Sequence, residues 1–156
     1  MRRTDREIKD FDDILEIIHR GKICHLGLAD NNLPYVIAMN YGFTYLNKRL
    51  TMYFHSAGSG RKIEMIKKNP LACFMVDIDH RLYKDENESE WTMKYRSVIG
   101  TGKIEIIRDI TEKKYGMDIL MSHYSEKDVF DYNPAVFSAV AVLKLSVSEI
   151  TGKKNI

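Results

Sequence analysis

The sequence predicts a mainly β fold: a small antiparallel, Greek-key-like β-barrel with flanking helices as plugs and covers. Three observations predict it. The elements run in the order α-β-β-β-α-β-β-α-β, and the first three strands are joined by turns too short for a parallel crossover. Gly100 and Gly102 interrupt one long strand, as a barrel corner requires. Residues 136–147 are almost continuously apolar and β-prone, the pattern of a central strand covered by core and by a second subunit. A chain of 156 residues suits one core, and no linker, repeat or low-complexity segment divides residues 1–156.

Each element has its own signal. Ile8, Phe11, Ile14, Leu15 and Ile18 fall at helical spacing, with Lys9, Asp12, Asp13 and Glu16 opposite, and Gly21 ends this amphipathic helix. Residues 23–29 read as a strand, and Asp30-Asn31-Asn32 as a hairpin turn into its partner, residues 34–45. Asn47-Lys48-Arg49 turns the chain into a strand over residues 50–55. A helix over residues 61–69 is stopped by Asn69-Pro70. Residues 71–78 form an apolar strand buried on both faces, and residues 79–90 a polar loop. Residues 91–107 form the long strand. Thr111 caps a helix reaching about Tyr124, residues 125–134 are irregular, and the apolar strand closes the set.

Composition excludes several functions. Lys and Arg number 24 against 22 Asp and Glu, a net charge of +2, and the lysine pairs at 67–68, 113–114 and 153–154 are scattered. Nucleic acid needs a concentrated basic face, so none is expected as a partner. No run of about 20 apolar residues offers a membrane span. Met1 to Arg6 are charged, with no apolar stretch of a signal peptide after them. Cys24 and Cys73 each sit in an apolar run and are expected as buried free thiols in a reducing compartment. The cytoplasm is the expected location.

Residues 51–70 carry the chemical signal. Met52, Tyr53 and Phe54 make a strand, residues 55–60 a loop of small residues with His55, Ser56 and Ser59, and Arg61 and Lys62 open a helix. Small residues admit close backbone approach, hydroxyls and amides donate, and a helix N-terminus favours an anion. Arg61 adds a planar fork and Lys62 a point charge, together suited to a phosphate monoester. The competing reading is a plain strand-to-helix loop with two surface cations. Gly58-Ser59-Gly60 is followed by Arg-Lys, not Lys-Ser/Thr, which excludes a nucleotide triphosphatase loop. His55, His25 and His123 are the titratable candidates, with His25 expected to be structural and His123 a surface or capping residue. Cys24-His25 lacks a second ligand pair, so no metal is expected.

Four ordered segments then carry a family resemblance: residues 1–8 (MRRTDREI), residues 34–42 (PYVIAMNYG), residues 53–57 running on to Gly60-Arg61-Lys62 and Asn69-Pro70, and residues 95–103 (YRSVIGTGK). The chain resembles the pyridoxamine 5'-phosphate oxidase-like FMN-binding split barrels, and within them the flavin-nucleotide-binding branch that includes nitroimidazole-resistance proteins. The resemblance implies a homodimer with two FMN sites in clefts between subunits. It implies that Arg61 and Lys62 bind the FMN phosphate, with His55 and Ser56 near phosphate or ribityl. It implies that Val36, Ile37, Ala38, Met39, Asn40 and Tyr41 lay backbone groups along the isoalloxazine edge, and that Arg96 and Ser97 contribute from the fourth segment.

The chemistry implied is the flavin's: an oxidoreductase reducing a small, nitroaromatic molecule by hydride or electron transfer at N5, or alternatively a module holding flavin or haem without turnover. No residue stands out as a required acid or base. The chain shows no C-terminal Arg, His and Trp segment of the kind that grips a pyridoxamine phosphate, so vitamin B6 oxidation is not expected. Arg61 stands where several nitroimidazole-resistance relatives carry histidine.

Overall fold

A computed structural model describes residues 3–156; Met1 and Arg2, which open the first family-like segment, lie outside the described residues. The strands are β1 (Glu7–Ile8), β2 (Cys24–Asp30), β3 (Leu33–Met39), β4 (Tyr41–Leu46), β5 (Arg49–Ala57), β6 (Leu71–Tyr83), β7 (Thr92–Ile106) and β8 (Val140–Asn155). The helices are α1 (Phe11–Arg20), α2 (Arg61–Lys68), α3 (Ile110–Ser122) and α4 (Pro134–Ala139).

One antiparallel sheet runs in the order β3-β2-β6-β7-β8-β5-β4, with β1 paired to β8. The sheet curls but does not close. The expected strand over residues 34–45 is in fact two. It breaks at Asn40; β3 pairs with β2 at one edge of the sheet, and β4 pairs with β5 at the other. The edges are thus consecutive in sequence without sharing a ladder, and the expected barrel is a split one.

Both short turns form as expected. Asn31 and Asn32 take φ of 49° and 65°, and Asn47 and Lys48 take 51° and 61°. Two successive left-handed residues are the geometry of a two-residue hairpin loop, which asparagine tolerates.

α1 plugs one side of the sheet. Asp10 caps it, accepting from the Asp12 amide, and Ile14, Ile17 and Ile18 are buried against β6 and β7. α3 covers β4 and β5. Its cap is Asp109, whose carboxylate accepts from the Glu112 amide, two residues before the expected Thr111.

Two other boundaries differ from expectation, and one apolar run packs differently. Residues 136–139 are helical, because Asn133 caps α4 and Pro134 starts it. β6 continues to Tyr83 through a bulge between Ile78 and Arg81, where Asp79 takes φ of 61°, so much of the polar loop is an exposed β-arm. The apolar residues of β8 are spent within one subunit. Leu143 and Leu145 belong to the main core and Val142 to a second cluster with Tyr53 and Ile107. Val136, at the start of the same apolar run, is exposed on α4.

Candidate functional site

β5 ends at Ala57, the chain turns through residues 58–60, and α2 begins at Arg61. Gly60 takes φ of 117°, a conformation that favours glycine. A Cβ at Gly58 would lie 3.2 Å from the Ala139 carbonyl oxygen, so the loop runs close under the end of α4. No side chain caps α2, which leaves the amides of its first turn open to a ligand.

The two cations that open α2 face β3. The Arg61 guanidinium lies on the Tyr35 ring, 4.4 Å from its centroid. Lys62 Nζ lies 3.5 Å from the Met39 sulfur. Among the described residues neither cation has a carboxylate partner, whereas Lys67 pairs with Glu64 at 2.7 Å and Lys68 with Asp30 at 2.9 Å. Burial pulls the Lys62 amine below its ordinary value. Burial also lowers the half-buried His55, and the positive charge of Lys62 lowers it further. Ser56 is buried beside it, and its hydroxyl donates to the Ala57 carbonyl at 3.0 Å. The start of α2 thus brings two cations and open amides together, and the one acid of its first turn, Glu64, is paired with Lys67. The residues fit the phosphate of a nucleotide: the backbone at Gly58 runs too close to Ala139 for a comfortable side chain, and neither cation has a carboxylate partner among the described residues.

The remaining expected residues are placed as follows. β3 is an edge strand, so alternate backbone groups of residues 33–39 point away from β2 and have no ladder partner. Val36 and Ala38 are exposed on the outer face of the sheet, Ile37 packs against the core, and Asn40 is exposed at the break. Tyr41 is buried; its hydroxyl donates to the Ile18 carbonyl at 2.6 Å, and its amide donates to the Tyr124 hydroxyl at 3.0 Å. Arg96 is held elsewhere. It donates to Asp79 at 2.7 Å and Glu16 at 3.0 Å, in a network completed by Arg20. Ser97 is buried on the outer face of β7 between Asp77 and Lys153.

One of the other expectations changes. Cys24 is buried but Cys73 is exposed, lining an apolar cavity of about 560 Å³ with Gly27, Val36, Leu71 and Thr101. His123 caps the C-terminus of α3, one of the two roles expected of it, and is half-buried: its ring packs on Tyr41 at 4.6 Å, and Nε2 lies 2.8 Å from the Gly21 carbonyl. Tyr35, which stacks on Arg61, was missed by the sequence reading; its alternation with Ile37 and Met39 on the inner face of β3 was the available signal. No cluster of three His, Cys, Asp or Glu among the described residues is placed to hold a metal, and no helix is long and apolar enough to cross a membrane.

Known proteins share this fold. A candidate 5-nitroimidazole antibiotic resistance protein of Bacteroides thetaiotaomicron is 36% identical, matching 95% of this chain and 86% of its own with a TM-score of 0.80. A flavocytochrome of Azotobacter vinelandii shares the fold at 19% identity, with a TM-score of 0.83 over 100% of this chain and 72% of its own. So does an FAD- and haem-binding protein of Mycobacterium smegmatis, at 14% identity and a TM-score of 0.80 over 96% of this chain and 73% of its own. No protein of curated function matches. Residues 10–154 match the pyridoxamine 5'-phosphate oxidase family, and the chain belongs to that family.

Proposed function

We propose that this protein is an FMN-dependent oxidoreductase that reduces a small molecule by hydride or electron transfer at the flavin N5, with nitroaromatics as the substrate class, in the cytoplasm. The observation that carries the reading is the unpaired Arg61-Lys62 couple beside His55, at an uncapped helix N-terminus. Cations at that end of a helix oppose its dipole, and they stay unfavourable until an anion arrives. A dianionic monoester supplies the missing charge and uses the open amides. The 36% identity to a nitroimidazole-resistance relative supports the substrate class. The bound flavin would supply the electron transfer; this chain supplies the phosphate anchor, and the free edge of β3 supplies backbone groups for the ring.

The working unit is a homodimer with cofactor sites between subunits. The support comes from the outer face of β3, β2, β6 and β7, not from β8. Val36 and Leu71, exposed at 64% and 67%, line the 560 Å³ cavity there, and Ile99, exposed at 45%, lies on the same face beside Ser97 and Thr151. Sedimentation of the native chain is expected to give a dimer and Ile99→Asp a monomer; a monomeric native chain with FMN bound would remove the shared-site model.

The test of function is a visible spectrum of the purified protein, calorimetric titration with FMN, FAD and riboflavin, and addition of a reduced nicotinamide. Tightest binding of FMN and bleaching of the flavin band are expected. FAD binding as tight as FMN would overturn the choice of cofactor. The fold shared with a flavocytochrome and an FAD- and haem-binding protein favours one alternative, a module that holds flavin or haem without turnover. A Soret band, or a flavin that no donor bleaches, would support it.

A further inference from the structure

His25 and His80 flank one carboxylate. Asp77 on β6 receives His80 Nε2 at 2.5 Å through one oxygen, and its other oxygen lies 3.5 Å from His25 Nδ1. That Nδ1 is fully enclosed and has no hydrogen-bond partner within the usual limit, yet the His25 side chain is 42% exposed. The exposed edge of the ring is therefore the Nε2 edge. A carboxylate facing Nδ1 favours the tautomer with its hydrogen there, and Nε2 is left as a lone pair open to the outer face. His25 pairs with Ala38 of β3 in the β2–β3 register, and both side chains share that outer face.

We infer that the His25–Asp77 pair is the proton site that answers charge arriving at the flavin, with His80 holding Asp77 in place. The inference rests on the reading that β3 lies along the flavin ring. His25 takes a proton at Nε2 as two electrons and one proton reach the ring from a reductant. Two electrons are then matched by two protons, one carried to the ring by the reductant and one taken from solvent by His25, and the ring's negative charge is balanced by an imidazolium. The groups that face His25 fit this role. β3 offers no charged side chain, and β6 offers Asp77 and His80. On β7 the buried Ser97 lies across from Asp77, and Lys153 of β8 lies beyond it. Asp77 is the one acid in the group, and it is placed to steady the imidazolium.

Two measurements test this. In the full chain without flavin, nitrogen-15 shifts of the His25 ring are expected to show the Nδ1–H tautomer, changing to Nε2–H in Asp77→Asn. An Nε2–H tautomer in the unmodified chain overturns the inference without any appeal to activity. In the FMN-loaded protein, the pH slope of the flavin midpoint potential from about pH 5.5 to about 8.5 counts protons bound per two electrons. His25→Gln is expected to lower that count by up to one. Identical slopes in both proteins overturn the inference and leave flavin binding standing, whereas failure of the native chain to bind FMN overturns both.

Discussion

Arg61 of α2 lies over the Tyr35 ring of β3, guanidinium carbon 4.4 Å from the ring centroid. The contact joins the proposed phosphate anchor to the strand proposed to carry the ring edge. It also positions a planar cation that has no carboxylate partner among the described residues, and a ring contact does not use up the guanidinium's N–H donors.

Loss of those donors should be specific for phosphate. Arg61→Ala is expected to weaken FMN by roughly 1.5–3 kcal/mol, the worth of a charge-assisted contact. That is about 10- to 150-fold in affinity. Riboflavin lacks the phosphate and should change little. Lys67→Ala, on the same helix but paired with Glu64, should leave both ligands alone. Calorimetric titration of the three proteins decides it: equal losses for FMN and riboflavin would reassign Arg61 to the fold.

Arg96 gives the contrasting case. Its guanidinium ties α1 to the β6 bulge through Glu16 and Asp79, and these acids in turn push its pKa up. Arg96→Met is expected to lower the melting temperature slightly, by an amount that shrinks in high salt, because the pairs are largely solvent-exposed. FMN affinity should be unchanged. A large loss of FMN binding with unaltered melting would return Arg96 to the cofactor site.

His123 should make stability fall on acidification. Burial is the main cause holding its pKa below the ordinary 6.5; Lys22 and His19 add to it, and the Gly21 carbonyl opposes them. The folded chain therefore binds fewer protons than the unfolded chain between the two values. Stability is full above 6.5 and is lost as pH falls through the lower folded value. His55 shifts in the same direction, so the residue must be isolated by substitution. His123→Gln keeps a donor for Gly21 and removes the titration. Its melting temperature should fall less between neutral and acidic pH than that of the unmodified chain; parallel profiles would exclude His123 as the cause.

Gly42 is set by packing. A Cβ there would meet the Ile119 carbonyl and lie 2.6 Å from the Leu120 Cα, both backbone atoms of α3. Neither can yield without lifting the helix from β4. Gly42→Ala is expected to destabilise by about 1–3 kcal/mol or more. The midpoint of urea unfolding measures it, and an unchanged midpoint would mean that α3 is free to slide.

The sequence reads well where local chemistry decides the structure. Both hairpin turns were legible because Asn31, Asn32 and Asn47 tolerate left-handed backbone, Lys48 taking the fourth such position, and α1 because its isoleucines repeat at helical spacing. The loop before α2 was legible only in part: its small residues turn the chain at 58–60, but His55, Ser56 and Ala57, expected in the loop, continue β5 in register with β8. Less legible was anything set by distant partners. The run through residues 34–45 looks like one strand, because nothing local reports that β3 will pair with β2 and β4 with β5. The network that occupies Arg96 joins residues 16, 20, 79 and 96, too far apart in sequence to be read as a unit. At α4 the signal was present in Asn133-Pro134, but the β-prone Val136 and Phe137 outweighed it.

The break at Asn40 has a mechanical meaning. The sheet's two edges are tied by one residue at one end of the split and by no ladder along it, so the split resembles a clothes-peg with its spring at Asn40. The first and last strands lie together elsewhere, since Glu7 of β1 pairs with Lys153 of β8. A circular permutant joined there and opened at Asn40 would keep every backbone ladder and lose only the spring. In such a chain the edges could part around a flavin independently of each other, and the difference in flavin release rate between the two chains would measure how strongly a single backbone residue clamps the ligand.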